Sequence, residues 1–458
     1  MFRKRGDILQ TNFNGKKCTV IGLGVSNLPL IDFLIYRGAN VVARDQKEID
    51  TSNAKIKSFL DKGVTFKCGA NYLEGIDGDY IFRSPGIRPD VLEIANAVRN
   101  GATLTSEMEL FFELCPAKIF AITGSDGKTT TTTLTYKLLE AEAKKEGSGR
   151  NIYVGGNIGA PLLPMVDIMT ENDYAVVELS SFQLMTMTKS AWAAAITNVT
   201  PNHLNWHTDM EEYTVSKYNV YRHGSSRIVL NADNDLTAAL IGKTGADETV
   251  FSLTKNDTDI CETDGYITVK GEKYLKVSDI RIPGRFNVAN YMCAIGMTLG
   301  FVSKETINEI ATTFGGVEHR NEFVREVDGV KYYNSSIDSS PARTMAALSS
   351  YPTKPILICC GRDKHVPFDE LAKDILKRAK ALILSGEARD KIYAAMQNAG
   401  CGDFKIVIEP DFDNAIKTAR NMANDGDIVL LSPACTSFDA FKNFEERGKK
   451  FKEIVNNF

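Results

Sequence analysis

Positions 124–129 carry the residue types of a phosphate-binding loop. They read Gly124-Ser125-Asp126-Gly127-Lys128-Thr129 and follow a β-branched stretch, residues 117–123, that predicts a strand. Backbone N–H groups and the positive end of a helix dipole at such a turn attract phosphate oxygens. Lys128 would reach the terminal phosphates of a nucleotide, and the Thr129 hydroxyl would bind Mg2+. A plain strand–helix turn with a surface lysine is the alternative, but it does not explain two glycines, a lysine and a threonine in register.

A second glycine turn, Gly22-Leu23-Gly24-Val25-Ser26-Asn27, is similar to a dinucleotide-binding fingerprint. Asp45 follows about 20 residues later, as that fingerprint requires, but the third glycine is missing. A dehydrogenase that binds NAD at this turn is one interpretation. A different ligand whose pyrophosphate binds there is the other.

Glu178 follows the apolar run Tyr174–Val177 and precedes Leu179-Ser180-Ser181-Phe182-Gln183. A carboxylate at the carboxyl end of a strand lies on the ligand-binding edge of an open α/β sheet. In nucleotide-hydrolysing enzymes an acid at this place helps to hold Mg2+. A solvated glutamate at a strand end is the alternative.

His203 and His207 are four residues apart, a spacing that could bind zinc on one face of a helix. Leu204 stands where a zinc protease has its glutamate, so that activity is not supported. Surface or capping histidines, and an ordinary surface lysine at Lys217, stay open as alternatives.

Two further segments place polar side chains where an element begins or ends. Asn287 and Asn290 lie at a predicted helix start, where simple N-capping is the alternative to ligand binding. The serine-rich segment Ser432–Asp439 follows a predicted strand. That segment is either an anion site or only a capped turn.

Short β-branched runs alternate with helix-period segments along the whole chain, which predicts α/β architecture with parallel sheets. The run Thr129–Thr133 is a poor helix former, so the helix that opens there needs tertiary contacts or a ligand. A length of 458 residues suggests two to four domains, and we take three. Boundaries near Ser106 and near Gly316, the latter after the turn dipeptide Gly315-Gly316, give the domains 1–106, 107–316 and 317–458. Strands are predicted at 17–21, 40–44, 117–123, 330–334, 355–360, 380–384, 404–408 and 427–431, with the first helix at about 28–36.

Composition excludes several classes of partner. The formal net charge of −4 gives no basic field for a nucleic-acid backbone, so nucleic acid is not expected as a partner. Apolar runs stop well short of the roughly 18 residues that cross a bilayer. The basic N-terminus Met1–Asp7 is not followed by the apolar core of an export signal. Nine cysteines without a CxxC pair predict reduced, buried thiols in a cytoplasmic protein.

Taken together, these segments resemble the Mur ligase family over nearly the whole chain, and the last of them points to its D-glutamate-adding branch. The segments that carry the resemblance are Gly124–Thr130, Gly155–Gly159, Glu178–Gln183, Asn198–Thr200 with His203, and Ser432–Gly448. The resemblance implies a Rossmann-like N-terminal domain, a central P-loop ATPase-type domain and a Rossmann-like C-terminal domain. It also implies an ADP-forming ligase of peptidoglycan precursor synthesis. Such an enzyme joins D-glutamate to UDP-N-acetylmuramoyl-L-alanine through an acyl phosphate, and we expect it to be a monomer.

The resemblance also implies a role for particular residues. ATP would be bound by Gly124, Ser125, Asp126, Gly127, Lys128, Thr129, Thr130, Asn287, Asn290 and Arg320. The UDP-linked substrate would be bound by Gly24, Ser26, Asp45, Gln46, Lys47 and Ser84, with Asn157 and His203 at its muramoyl-alanine end. Glutamate would be bound by Ser339, Lys364, Ser437 and the backbone of Phe444. Two Mg2+ ions are implied, one on Thr129 and Glu178 and one on His203 and a carbamylated Lys217, and the catalytic residues would be Lys128, His203 and Lys217.

The chain departs from the family pattern in places that concern ATP. Asp126 stands where asparagine is more usual, Ser335 replaces an aspartate expected at the ribose, and Ile337 replaces a lysine near the active site. Our hypothesis is that Asp338 or Arg362 partly compensates. The rival interpretations are a sibling ligase that uses another amino acid or folate, a non-catalytic nucleotide sensor, and the dehydrogenase.

Overall fold

The computed structural model describes residues 13–458, so the prediction about Met1–Asp7 lies outside the described residues. The chain forms two compact units. Of the described residues, the first contains those up to Leu275 and Ala289–Ile307, and the second contains Lys276–Val288 and Asn308–Phe458. The helices α9 (Arg285–Thr298) and α10 (Lys304–Thr313) each contribute residues to both units.

The first unit begins with a five-stranded parallel sheet in the order β3-β2-β1-β4-β5. The strand order reverses beside β1, and a reversal of this kind opens a crevice at the carboxyl ends of the strands. The predicted strand–turn–helix unit at its start is confirmed, with the helix beginning one residue earlier. The strands are β1 (Lys17–Ile21), β2 (Asn40–Asp45), β3 (Thr65–Cys68), β4 (Tyr80–Arg83) and β5 (Thr103–Thr105), and the helices are α1 (Asn27–Tyr36), α2 (Ala54–Asp61) and α3 (Leu92–Arg99).

A nine-stranded sheet follows in the order β14-β13-β12-β11-β10-β9-β6-β8-β7. Strand β6 pairs in parallel with both β8 and β9, so the loop that follows β6 lies beside the ends of its two neighbours. The strands are β6 (Lys118–Thr123), β7 (Ile152–Gly156), β8 (Tyr174–Glu178), β9 (Ala193–Ile196), β10 (Arg227–Asn231), β11 (Asp247–Ser252), β12 (Ile260–Thr263), β13 (Tyr266–Val269) and β14 (Glu272–Lys276). The helices are α4 (Glu107–Leu114), α5 (Lys128–Glu146), α6 (Ser181–Leu184), α7 (Met210–Tyr218) and α8 (Asp235–Ala238).

The threonine run lies in the first turns of α5 despite its low helix propensity. Thr131 and Thr132 are fully buried, and the Thr133 hydroxyl donates to the carbonyl oxygen of Thr129 (2.8 Å). Tertiary packing therefore supports this helix start, which is one of the two aids that the sequence required.

The second unit contains a six-stranded sheet in the order β15-β16-β20-β17-β18-β19. All pairs are parallel except β15 with β16. The predicted strands are confirmed, but the last one continues through Ser432 and Pro433 to Ala434, so Ser432 lies inside the strand. The strands are β15 (Glu322–Val327), β16 (Val330–Asn334), β17 (Ile356–Cys360), β18 (Ala381–Ser385), β19 (Ile406–Ile408) and β20 (Ile428–Ala434), and the helices are α11 (Pro341–Leu348), α12 (Asp369–Arg378), α13 (Arg389–Asn398), α14 (Phe412–Met422) and α15 (Phe444–Asn456).

The hydrophobic cores explain this grouping. One cluster joins the first two sheets, because it contains Val20 from β1 together with Ala121 from β6 and Val177 from β8. In the second unit, Leu357 and Ile358 lie in different clusters, since successive strand residues point to opposite faces of the sheet. The predicted domain boundaries near Ser106 and Gly316 stay a prediction.

All nine cysteines are free, as predicted, although Cys68, Cys115 and Cys401 are half-buried and the other six are buried. In the part of the chain that the structure describes, no helix combines the length and the apolar character needed to cross a membrane.

Candidate functional site

The loop 124–129 requires both of its glycines. Gly124 and Gly127 have φ angles of 152° and 77°, a region that side chains rarely adopt. A Cβ atom at Gly124 would overlap Thr197 Oγ1, and one at Gly127 would overlap Asn290 Oδ1. Close approach of neighbouring side chains and positive φ therefore both select glycine here.

Residues from two other parts of the first unit hold this loop in place. Asn198 accepts the Ser125 amide on its carbonyl oxygen (2.9 Å) and the Asp126 amide on its side-chain oxygen (3.0 Å). Ser125 Oγ lies 2.8 Å from Tyr213 Oη and 3.0 Å from the carbonyl oxygen of Thr200. Contacts within the first unit therefore hold the loop.

Two lysines bind the same carbonyl oxygen of the loop. Lys128 Nζ donates to Gly124 O (3.0 Å) and Ser125 O (2.9 Å), and Lys217 Nζ donates to Gly124 O (2.7 Å). Lys217, on α7, is only 1% exposed and lies over the ring of Tyr213. Burial, and then the charge of Lys128, lower the pKa of Lys217 well below its usual value. Lys217 is therefore not an ordinary surface lysine, and its buried position disfavours the charged form of the amine.

Glu178, at the end of β8, is buried, so the alternative of a solvated strand-end glutamate is wrong. Asn157 donates its side-chain amide to Glu178 Oε1 (2.8 Å) and its backbone amide to Glu178 O (2.8 Å). The second carboxylate oxygen, Oε2, is buried and has no hydrogen-bond partner. A buried, unpaired carboxylate oxygen is costly unless a cation binds it.

His203 and His207 lie in a turn rather than on a helix, so the zinc interpretation is wrong. His207 uses both ring nitrogens, with Nδ1 3.0 Å from Glu212 Oε2 and Nε2 2.9 Å from Ser181 Oγ. His203 is exposed and has a φ of 56°, a strained conformation of the kind found at functional sites. Its pKa is lowered by partial burial and by the charges of Lys128 and Lys217, which places the three side chains in one electrostatic environment.

The turn after β1 is organised by Asp45. One carboxylate oxygen of Asp45 accepts the Leu23 amide (2.7 Å) and the other accepts the Lys47 amide (2.8 Å). Gly22 packs directly against Ser84, which would block a larger residue there. The predicted substrate residues Gly24, Ser26, Asp45, Gln46, Lys47 and Ser84 thus occupy the carboxyl ends of β1, β2 and β4, with Gly24, Gln46 and Lys47 exposed.

The predicted adenine and ribose residues are held by local contacts. Asn287 donates to the carbonyl oxygen of Pro283 (2.6 Å), and Asn290 Oδ1 accepts from the Thr131 hydroxyl (3.3 Å). Asn290 therefore also packs on the helix that begins at the phosphate loop. In the second unit, the positive charge of Arg320 opposes the rise in the pKa of Asp338.

The segment after β16 contains the departures from the family pattern. Ser335 Oγ accepts the Asn321 amide (3.1 Å), so this serine supports the turn that carries Arg320. Asp338 is 6% exposed and accepts from the Ser432 hydroxyl (2.9 Å), and burial raises its pKa to about 6. Ile337 makes a backbone contact, its amide donating to the carbonyl oxygen of His319 (3.1 Å).

Arg447, on α15, joins the carboxyl ends of three strands. Its guanidinium donates to Ser336 Oγ (3.0 Å) and to the carbonyl oxygens of Ser336 (2.8 Å), Cys360 (3.3 Å) and Cys435 (3.2 Å). The Ser336 hydroxyl in turn donates to the carbonyl oxygen of Phe444 (2.8 Å). Sequence reasoning included Arg447 in the segment Ser432–Gly448 but gave it no role, because its partners are scattered along the chain.

The predicted glutamate residues lie near this edge of the second unit. Ser339 follows β16, Lys364 follows β17 and Ser437 follows β20, while Phe444 is the first residue of α15. Lys364 is exposed and Ser437 is buried. The first amides of α15 lack intrahelical partners, so they suit a carboxylate. Arg362 pairs with Glu387 (3.3 Å) on the surface.

The donors present fit Mg2+ on the first unit. Within residues 13–458 no group of three or more histidines, cysteines and acids could hold a metal ion alone. Mg2+, however, commonly uses one or two carboxylates and takes its other ligands from phosphates and water. The unpaired Glu178 Oε2 supplies one such carboxylate, and Thr129, the second residue of α5, stays the other predicted ligand.

Three family models match the chain in order. The Mur ligase MurD-like N-terminal domain matches residues 16–106, the Mur ligase middle domain matches 122–298, and the Mur ligase glutamate ligase domain matches 319–435. The chain belongs to the Mur ligase family. Its relatives include UDP-N-acetylmuramoylalanine–D-glutamate ligases of Clostridium novyi (45% identical over 96% of this chain and 97% of the relative) and Clostridium botulinum strain Hall (46%, with the same coverage). The enzyme of the same name from Acetivibrio thermocellus is 45% identical over 96% of each chain.

Solved structures of Mur ligases share the fold. UDP-N-acetylmuramate–alanine ligase of Thermotoga maritima superposes with a TM-score of 0.57 at 16% identity, over 96% of this chain and 99% of that one. A pseudomurein peptide ligase of Methanothermus fervidus gives 0.50 at 16% identity, over 97% and 100%. The mixed α/β fold and the three-domain Mur ligase organisation predicted from the sequence are confirmed. The roles of individual residues stay predictions.

Proposed function

We propose that this Mur ligase joins D-glutamate to UDP-N-acetylmuramoyl-L-alanine with cleavage of ATP to ADP and phosphate. The observation that carries the proposal is the identity of about 45% to D-glutamate ligases over nearly the whole length of both chains. The geometry supports an acid-activating ATPase site, because Lys128, Lys217 and Glu178 converge beside the phosphate loop.

In the proposed reaction the alanyl carboxylate attacks the γ-phosphorus of ATP. The new bond joins carboxylate oxygen to phosphorus, the bond between the β- and γ-phosphates breaks, and ADP leaves. Two anions meet in this step, so Lys128 and the amides at the start of α5 must neutralise charge. The amine of D-glutamate, once deprotonated, attacks the acyl carbon and expels phosphate, which forms the amide.

Mg2+ would neutralise phosphate charge when bound. Thr129 and Glu178 would hold one ion, and His203 and a carbamylated Lys217 would hold a second. The carbamate is supported by the lowered pKa of Lys217, because only a neutral amine adds CO2, releasing a proton and leaving an anionic oxygen. An ammonium at that position would repel the ion, whereas a carboxylate-like oxygen is the ligand that Mg2+ prefers.

The remaining roles concern substrate recognition. Adenine and ribose would be bound by Asn287, Asn290 and Arg320, and the phosphates of ATP would be bound by residues 124–130. The UDP end would be bound by Gly24, Ser26, Asp45, Gln46, Lys47 and Ser84, and the muramoyl-alanine end by Asn157 and His203. Glutamate would be bound by Ser339, Lys364, Ser437 and Phe444. We further propose a monomeric, cytoplasmic enzyme whose domains are 1–106, 107–316 and 317–458.

Phosphate release from ATP tests the proposal. Turnover should require UDP-N-acetylmuramoyl-L-alanine and D-glutamate together, and L-glutamate should not replace D-glutamate. Turnover with a different amino acid would indicate a sibling ligase. The absence of turnover with every amino acid would refute the ligase assignment and favour a nucleotide sensor, and NAD binding without ATP hydrolysis would favour a dehydrogenase.

The compensation hypothesis has its own test. Asp338→Ala should raise the KM for ATP if Asp338 supports ribose binding. An unchanged KM would remove Asp338 from the hypothesis and leave Arg362.

A further inference from the structure

Arg88, which follows the predicted substrate residue Ser84 by four positions, reaches from the first sheet to the His203 turn. Its guanidinium donates to Glu212 Oε1 (2.9 Å) and Oε2 (3.1 Å) and to the carbonyl oxygen of Trp206 (2.7 Å). It also pairs with Asp90 (2.8 Å) and lies 5.1 Å from the centre of the Trp206 ring. A fork that binds one carboxylate through two N–H groups fixes direction as well as distance.

Glu212 connects Arg88 to the His203 turn and to α7. Its Oε2 atom accepts the Thr208 amide (3.0 Å) and lies 3.0 Å from His207 Nδ1. The hydrogen bond from Arg88 is the main reason that the pKa of Glu212 falls to about 2, so this carboxylate is ionised at neutral pH. Glu212 lies in the first turn of α7, the helix that carries Lys217.

Trp206, a residue of the turn, contacts the segment 84–88 in return. Its indole Nε1 donates to the carbonyl oxygen of Gly86 (3.1 Å), and its ring lies 4.5 Å from that of Phe182, which also contacts His203 (4.9 Å). The amide of Trp206 donates to the carbonyl oxygen of His203 (3.0 Å). The segment 84–88 is therefore joined to the turn by a side chain in each direction.

We propose that Arg88 is a positioning residue: through Glu212 and Trp206 it fixes His203 and Lys217 relative to the substrate loop at Ser84. The inference rests on the proposed function, because His203 and Lys217 matter as members of the ATPase site. Arg88 itself touches no reacting atom in this scheme.

The first unit offers a matched control. Arg37 pairs with Asp167 (2.5 Å), a bond that likewise links the first sheet to the second, and stacks on Phe33 (4.7 Å). The Arg37 and Arg88 side chains are 17% and 22% exposed. Arg37→Met therefore removes a comparable link that has no contact with the His203 turn.

The experiment compares Arg88→Met with Arg37→Met in phosphate release at saturating substrates. Misplacing catalytic groups by an ångström costs up to about a hundredfold, so kcat of Arg88→Met should fall about 10- to 100-fold. Arg37→Met should stay within about twofold of the wild type, because Arg37 does not touch the His203 turn and its partner Asp167 is 47% exposed, where ion pairs contribute little. Both variants should lower the melting temperature to a similar extent.

A second readout does not depend on activity. In a Trp192→Phe background, Trp206 is the remaining tryptophan and reports on the turn. Arg88→Met should shift its emission to longer wavelength and increase its quenching by acrylamide, and Arg37→Met should change neither. If Arg88→Met does not fold, Arg88→Lys serves, because it keeps the charge but loses the fork and should show the same two effects more weakly.

A double-mutant cycle tests whether Arg88 acts through Glu212. Arg88→Met and Glu212→Gln should each lower kcat, and the double variant should be no slower than the slower single variant, because both break one connection. Three results would overturn the inference. They are additive losses in the double variant, a kcat of Arg88→Met within about twofold of the wild type, and an equal loss of kcat in Arg37→Met. Absence of wild-type turnover would instead refute the proposed function, and the Trp206 emission of the variants would still decide whether Arg88 holds the turn.

Discussion

At the scale of single residues, the central feature is the pair of lysines on the carbonyl oxygen of Gly124. Lys128 belongs to the loop and Lys217 is buried, and the Nζ atoms of both donate to this one oxygen. Burial and the charge of Lys128 lower the pKa of Lys217 and outweigh the opposing charges of Asp126 and Glu178. A neutral Lys217 is the form that can react with CO2.

Lys217→Ala should lose phosphate release, and formate or acetate should restore part of it by entering the space of the missing side chain. Lys217→Arg is the control, since it fills the space with a permanent cation and should be neither active nor rescued. Phosphate release with and without the added carboxylate is the measurement. Full activity of Lys217→Ala in the absence of carboxylates would contradict the carbamate.

Asp338 makes stability depend on pH. Its pKa is raised from 3.8 to about 6 by burial, so the stability associated with its proton is complete below pH 3.8 and is lost as the pH rises through about 6. The difference corresponds to about 3 kcal/mol. Asp338→Asn, which cannot ionise, should gain in melting temperature relative to the wild type between pH 4 and pH 8. A difference between the two proteins that is constant with pH would show that the raised pKa is wrong.

At the scale of elements, β7 and β8 place Glu178 through a close backbone approach. A Cβ atom at Gly156 would overlap the carbonyl oxygen of Glu178, and the φ of 97° adds strain for any side chain. The next residue, Asn157, is the one that holds the Glu178 carboxylate. The end of β7 therefore positions the predicted Mg2+ ligand.

Gly156→Ala should destabilise the protein by about 2 kcal/mol or more and lower phosphate release. The backbone at Glu178 would have to move away from the new Cβ atom, and the φ at residue 156 is unfavourable for alanine. Gly159→Ala is the matched control. Its φ is 67°, but its Cβ would make only ordinary contacts, with Val154 O at 3.5 Å and Gly155 Cα at 3.8 Å, so it should cost about 1 kcal/mol. Melting temperature and kcat are the measurements, and equal effects of the two substitutions would show that the contact with Glu178 does not matter.

At the scale of the whole molecule, the predicted binding residues for UDP and for glutamate lie in different units. The residues assigned to UDP belong to the first unit and those assigned to glutamate belong to the second. Both tryptophans, Trp192 and Trp206, lie in the first unit, so tryptophan fluorescence reports on that unit alone.

UDP-N-acetylmuramoyl-L-alanine, without ATP, should raise the melting temperature monitored by tryptophan fluorescence. A ligand at 100 times its Kd stabilises the state it binds by about 2.7 kcal/mol. D-glutamate alone should leave this transition unchanged. A shift with D-glutamate and none with the UDP-linked substrate would show that the sites are assigned to the wrong units.

The sequence by itself determined the elements and the family of this protein. Strands, glycine turns and the phosphate loop could be predicted because each depends on residues that are neighbours in the chain: β-branched runs, positive-φ glycines, and a lysine and threonine at a helix start. The resemblance then supplied roles for residues that no local pattern distinguishes, such as Lys217.

Only the tertiary structure decided which side chains meet. Tyr213 reaches Ser125 across 88 residues, Lys217 reaches Gly124 across 93, and Arg447 reaches Ser336 across 111. These contacts depend on strand order and on helix placement, which local propensity does not encode. The structure also removed the zinc interpretation, because His203 and His207 lie in a turn rather than on one face of a helix, and it gave Asn157 a partner in Glu178. Burial, a property of the whole fold, lowers the pKa of Lys217 and raises that of Asp338.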